Sequence, residues 1–270
     1  MYCRRIFLIA AILVLPCWLG AWNQGEAPED HPLYQELQKA GYLIKRVGNR
    51  FGVPYVEIVI PPGEAIYTLC RRVPSLNARF FEARTRIASF NALNPFYVRT
   101  PEEESNSINV ATLKIPLDFS LKPEVFPAYE ESLARYETFL LVDVGKQYLA
   151  LYRHGELFRA YPISPGALGG LQRSTTPLRD FTVLRKIEDA YSAKYDDAWM
   201  PYSLHIGGLY YIHGGVLPGR PDSKGCIRMF IDDARELFDL VKVGTPGRII
   251  NSGLAAETAG LPGAGPPRKP

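Results

Sequence analysis

Reactive side chains are scarce in this chain: of 270 residues, four are cysteine and four are histidine. Cys3 and Cys17 fall within an apolar N-terminal stretch, which leaves Cys70 and Cys226, far apart in sequence. No group of histidines and cysteines stands at metal-ligand spacing, so no metal is implied. There is no phosphate-binding Gly-x-x-x-x-Gly-Lys loop and no dinucleotide fingerprint, and no cofactor is expected. Charge is nearly balanced, 31 Lys and Arg against 28 Asp and Glu. No basic tract interleaves with aromatics, which argues against nucleic acid as a partner. Only one long apolar run occurs, Ile6 to Trp22, broken by Pro16. It follows Arg4-Arg5, carries Gly20-Ala21 at its end and runs into polar residues, which is the order of a secretory signal. The run is short for a membrane span, so residues 1–22 read as a signal peptide, with an uncleaved anchor as the other reading. Leu15-Pro16 before Cys17 is wrong for a lipoprotein signal.

What is present is concentrated in Tyr211-Ile-His213-Gly-Gly-Val-Leu-Pro-Gly-Arg-Pro-Asp-Ser223-Lys-Gly225-Cys226-Ile-Arg228. A thiol becomes a strong nucleophile as thiolate, and a neighbouring imidazole can take its proton and stabilise the resulting ion pair. Glycines on both sides allow backbone N–H groups to approach a substrate, as an oxyanion hole requires. The chemistry this suggests is cysteine acyl transfer, with Cys226 as nucleophile and His213 as base. Ser223 reads either as a turn serine or as a substrate-positioning group. Arg228 reads either as a bidentate partner for a substrate carboxylate or as a pin behind the cysteine loop. Tyr202 and Tyr211 line a groove or simply pack. No carboxylate stands ready to orient His213, since Asp222 would have to fold back.

The order His-Gly … Ser-x-Gly-Cys-x-Arg resembles the active-site motif of the L,D-transpeptidase (YkuD-like) family of bacterial cell-wall enzymes. The resemblance extends over residues 136–251. It includes Leu141-Val-Asp143-Val-Gly-Lys-Gln-Tyr-Leu-Ala-Leu-Tyr152, Tyr161-Pro-Ile-Ser164-Pro-Gly166, Thr175-Thr-Pro177, Met200-Pro-Tyr202 and the segment Asp233 to Pro246. It implies a Cys226 thioester formed with loss of D-alanine, Gly214 and Gly225 as orienting or oxyanion groups, and peptidoglycan stem peptides and glycan as partners. The acceptor is a second stem, water or an envelope-protein lysine. It also implies an exported protein of the periplasm or cell envelope. Two positions depart from the pattern. Lys224 stands where many members have histidine, and Arg179 where many have glycine. Two other readings are a papain-like cysteine hydrolase, disfavoured because histidine here precedes cysteine, and a non-catalytic wall-binding protein.

The fold expected is mainly β. A YkuD-like β-sandwich with one or two helices follows a small α+β region, 57–118, that reads either as a partial match resembling a LysM module or as a family-specific spacer. Residues 23–56 read as a linker and a helix from Tyr34 to Phe51; 252–270, rich in Gly, Ala and Pro, read as a disordered tail. In the small domain, strands are expected at Glu57–Ile60 and Thr112–Pro116, with helices at Ile66–Val73 and Phe80–Phe90. Cys70 would occupy a buried helical position, so a disulfide to Cys226 is disfavoured. In the larger domain, Phe139–Asp143 and Gln147–Tyr152 form a hairpin across Val144-Gly145. Further strands are read at 157–161, 181–185, 202–206, 209–212 and 248–251. A helix from Asp233 to Val241 opens with a capping box of Asp233 and Glu236.

Overall fold

A computed structural model describes residues 28–94, 110–166, 175–192 and 197–252. The apolar N-terminal run and the tail beyond Ser252 lie outside them. The first unit contains α1 (Pro32–Lys39), β1 (Ile44–Arg50), β2 (Val53–Val59), α2 (Ile66–Arg72), α3 (Pro74–Ala78), α4 (Phe80–Phe90) and β3 (Thr112–Pro116). The three strands form an antiparallel sheet in the order β1-β2-β3. One core joins the sheet to the helices, with Val56, Ile58, Ile66, Leu69, Cys70, Leu76, Ile87 and Ile115 all fully buried. Cys70 is thus a packing thiol, and burial pushes it up to about 12. The expected helix over Tyr34–Phe51 is corrected. It ends at Lys39, and residues 44–50 instead pair antiparallel with β2. The stretch Ile-Lys-Arg-Val-Gly-Asn-Arg is too polar to announce itself, because β1 is an edge strand with much of its surface in water.

The second unit is built on a nine-stranded sheet. Its strands are β4 (Phe139–Asp143), β5 (Tyr148–Arg153), β6 (Glu156–Ser164), β7 (Asp180–Thr182), β8 (Arg185–Ser192), β9 (Ala198–His205), β10 (Tyr211–Gly214), β11 (Ile227–Met229) and β12 (Pro246–Ile250), with α5 (Ile231–Leu240) between the last two. Their spatial order is β7-β12-β4-β5-β6-β11-β10-β9-β8. The sheet folds back on itself. Leu140, Val142, Leu149, Leu151 and Ile163 from one half meet Leu204, Ile206, Ile212, Ile227 and Met229 from the other, and Ala234, Leu237 and Val241 of α5 close the end. Each of these larger side chains contributes about 1.5–3 kcal/mol by leaving water. The β4–β5 turn is held by Asp143, whose Oδ1 accepts from Gly145 N and Lys146 N, both at 3.1 Å.

Three strand expectations change. The segment at 181–185 is two strands, β7 and β8, on opposite edges of the sheet. β9 begins at Ala198 rather than Tyr202, and β11 was not foreseen. The capping box is absent as well: α5 starts at Ile231, its N-cap is Phe230, and no side chain caps it. Asp233 instead lies inside the first turn, where burial and then Glu236 raise its carboxyl to about 6.

Glycine is required at Gly247, on β12 between β7 and β4. A Cβ there would stand 2.7 Å from the Leu140 carbonyl oxygen and overlap the Phe181 ring. Gly247→Ala is therefore expected to lower unfolding free energy by about 1–3 kcal/mol. A urea midpoint shift at unchanged slope would measure it.

The two units meet along two seams. At one, Phe51, Val125, Phe126, Phe139 and Tyr148 form a shared apolar cluster, with Phe51 edge-on to Tyr148 at 5.8 Å. At the other, Leu93 forms an antiparallel bridge with Pro218. There Asn94 N donates to Leu217 O (3.0 Å) and Gly219 N donates to Ala92 O (2.9 Å). Leu217 N also donates to the Asn94 side-chain oxygen at 2.5 Å.

Candidate active site

The site grows from the pairing of β10 with β11. They are parallel, with Ile212 opposite Ile227, His213 opposite Arg228 and Gly214 opposite Met229. Side chains alternate along a strand. Ile212, Ile227 and Met229 point into the core, so Tyr211 and His213 share the other face with Arg228 and with Cys226, the residue just before β11. The histidine and cysteine are thus diagonal neighbours across the ladder, with backbones roughly 7–8 Å apart, although a long loop separates them in sequence.

His213 is 7% exposed. Its Nδ1 lies 2.8 Å from Gly214 O. A carbonyl can only accept, so Nδ1 carries the proton and Nε2 is the basic nitrogen. The orienting group is thus a backbone carbonyl, while Asp222 turns to Arg228 (3.4 Å) and Arg220 (3.7 Å). Gly214 must be glycine because α5 begins against it: a Cβ would sit 3.0 Å from Pro201 Cγ and 3.2 Å from Ile231 Cα.

Burial drives His213 down to about 4; the Gly214 hydrogen bond opposes this and Arg228 adds to it. Burial also raises the Cys226 thiol, against a backbone hydrogen bond from Tyr211 and the charge of Arg228. Both shifts favour the uncharged partners. The ion pair expected from the sequence is therefore not the resting form; near neutral pH the site holds a thiol beside a neutral imidazole. Lys224, the departure from the family pattern, is exposed.

Cys226 is held by an extensive backbone network. Ser223 Oγ donates to Cys226 O and accepts from Gly225 N at 3.0 Å. Ser223 is buried and acts here as the staple of a tight turn. Gly225 has φ +119°, a conformation that favours glycine, and a Cβ there would stand 2.9 Å from the Tyr210 ring. Asp222 N and Ser223 N both donate to Pro165 O at 3.0 Å. The Cys226 sulfur lies 3.7 Å from Leu209 O.

Two further side chains complete the surroundings of the nucleophile. Thr176 Oγ1 accepts from Gly166 N (2.8 Å) and donates to Gly225 O (2.9 Å), joining the strand leading into the groove to the cysteine loop. Arg179 donates to Ile206 O (3.0 Å) and Gly207 O (2.9 Å) and lies over Tyr210 at 5.2 Å. It thereby ties down the turn that brings Leu209 and Tyr210 to the nucleophile. Tyr202 is not brought to this cluster as a groove residue; it packs edge-on against Phe238 of α5 at 5.9 Å. Tyr211 stacks on His205 with ring centres 4.7 Å apart. His205 is itself held through Nε2 to Gly208 O at 2.9 Å.

Part of the chain is similar to known proteins. Residues 137–249 match the model of the YkuD family, the L,D-transpeptidase catalytic domain. The putative L,D-transpeptidase YkuD of Bacillus subtilis is 26% identical over 106 residues, covering 39% of this chain and 62% of that protein. The probable L,D-transpeptidase ErfK/SrfK of Escherichia coli is 47% identical over 55 residues, covering 18% of this chain and 17% of that protein. The chain thus spans about three fifths of one relative's length and about a sixth of the other's. A crystal structure of an L,D-transpeptidase from Xylanimonas cellulosilytica overlays 62% of this chain and 79% of its own, with 23% identity and a TM-score of 0.43. Residues 137–249 are thus similar to the YkuD family of L,D-transpeptidase catalytic domains.

Proposed function

We propose that this protein is an exported L,D-transpeptidase acting on peptidoglycan stem peptides through a Cys226 thioester. The observation that carries the reading is the β10–β11 register. It sets His213, with its tautomer fixed by Gly214 O, on the same face as Cys226 and Arg228. In the proposed reaction the Cys226 sulfur attacks the carbonyl that joins an L-centre to a terminal D-alanine. His213 Nε2 takes the thiol proton and passes it to the departing amine of D-alanine. Backbone N–H groups beside Gly225 and Cys226 stabilise the tetrahedral oxygen. An amine from a second stem then breaks the thioester and returns the thiol. Arg228, whose Nη2 lies 3.4 Å from Asp222 Oδ2, is the cation on the nucleophile's face that would hold a substrate carboxylate. Transfer to water or to an envelope-protein lysine shares the same first half.

The test is incubation of the purified protein with a tetrapeptide wall fragment, and separately with a carbapenem, followed by intact mass and product analysis. A covalent adduct on Cys226, released D-alanine and a dimeric product are expected. An unmodified protein with no D-alanine would remove the reading, and D-alanine release without a dimer would make the protein a carboxypeptidase.

A further inference from the structure

The loop that joins His213 to Cys226 does not stand alone on the catalytic unit. Its first half is held by the other unit, through the second seam. Asn94 bonds to both the N–H and the C=O of Leu217, and Ala92 O accepts from Gly219 N. Leu93 and Leu217 are 1% and 0% exposed, so these polar contacts are closed off by an apolar plug. Ala92 adopts φ +48°, an uncommon conformation for alanine that turns the chain so that 92–94 meet the loop. The loop's second half is fixed from the catalytic side by Pro165 O and by Ser164 Oγ, which donates to Arg220 O at 2.8 Å.

We infer that Asn94 is a positioning residue for the nucleophile: by clasping Leu217 it holds the loop in the form that keeps Cys226 beside His213. The inference rests on the proposed cysteine chemistry. Its consequence is that the N-terminal unit belongs to the catalytic apparatus whatever else it binds. The mechanism is geometric. Leu217 N and O are buried, and without the Asn94 side chain one buried N–H loses its partner. The loop then relaxes, and misplacement of a reacting group by about 1 Å can cost on the order of 10²-fold in rate.

The experiment uses the full chain carrying Asn94→Ala, and Asn94→Asp, which keeps an acceptor oxygen at the same reach. Two readouts are taken. The first is kcat and KM for D-alanine release from a tetrapeptide fragment. The second is the rate of Cys226 alkylation by iodoacetamide from pH 5 to 10, which needs no transpeptidase activity. For Asn94→Ala, kcat is expected to fall roughly tenfold with KM little changed. Its alkylation profile is expected to shift toward that of an ordinary thiol as water enters. Asn94→Asp is expected to recover most of the native behaviour. If Asn94→Ala does not fold, Asn94→Ser, whose hydroxyl falls short of Leu217, takes its place. Variants that melt at lower temperature yet keep the native kcat and alkylation profile would overturn the inference and leave the seam as packing only. If wild type releases no D-alanine, the transpeptidase reading fails, while the alkylation arm still decides the clasp.

Discussion

Cys226→Ser is expected to lose acyl transfer by roughly 10⁴-fold or more, the scale seen when a nucleophile is removed from a concerted site. Serine is close to isosteric, so the loss cannot be assigned to a collapsed loop. Its origin is the weakness of the base. Burial brings His213 down to about 4, which makes Nε2 a poor acceptor for the proton of an alcohol. A thiol is far more acidic and more polarisable, and it can give up its proton as the carbon–sulfur bond forms. The measurement is the acylation rate with a carbapenem, followed by intact mass. Serine activity within tenfold of wild type would mean that the base is stronger than its surroundings allow.

His213→Gln is expected to reduce the same rate by about 10²–10⁴-fold, the usual contribution of a positioned general base. Glutamine fills the space and can hydrogen-bond Gly214 O but cannot accept a proton from the thiol. A second, independent signature accompanies it. The folded protein keeps His213 neutral down to about pH 4, whereas the unfolded chain protonates it near 6.5. The native state therefore binds fewer protons between these values, so His213 leaves stability intact above pH 6.5 and removes it as pH falls toward 4. The full effect is on the order of 3 kcal/mol. His213→Gln removes that slope, so urea midpoints of the two proteins are expected to converge or cross on acidification. A variant with the wild-type pH dependence of stability would show that the imidazole is not held neutral by burial. Activity of the wild type is expected to stay level from about pH 5 to 8, since neither partner changes charge there.

The site was legible to different depths. Cys226, His213, Gly225 and Arg228 could be read because one contiguous run carries them and because each residue type has a chemical reason to be there. The orienting carbonyl of Gly214 was reachable only through the family resemblance, since every residue has a carbonyl and spacing alone does not choose one. Thr176 entered only within the Thr175-Thr-Pro177 resemblance, and Asn94 and Leu209 were not legible at all: their contributions are bonds to backbone atoms made by tertiary contact across long stretches of chain. Among strands, β4 and β5 showed themselves by apolar content and a turn. β11 hid inside the motif because three residues carry too little periodicity. β8, Arg-Lys-Ile-Glu-Asp-Ala-Tyr-Ser, hid because an edge strand with both faces partly in water need not alternate cleanly. The capping box misled because a local pattern was read without the α5–β10 contact. Helix packing against Gly214 placed the first turn at Ile231, two residues earlier than the acidic pair suggested.

The ladder between β10 and β11 also separates two kinds of distance. The interval between His213 and Cys226 along the chain is set by residues 215–226, which leave one strand and return to its parallel neighbour. Their backbone separation is set first by the ladder, and the loop, held at Leu217 and at Pro165, sets how the side chains meet across it. Residues added to or removed from the connection away from those holds would change its outline and leave the strand register in place. Cys226 and Arg228 have no such latitude, because they are consecutive same-face positions, and a single inserted residue would turn one of them into the core. In this chain the cysteine-to-arginine spacing is therefore the stricter of the two, since it alone decides that both side chains share one face.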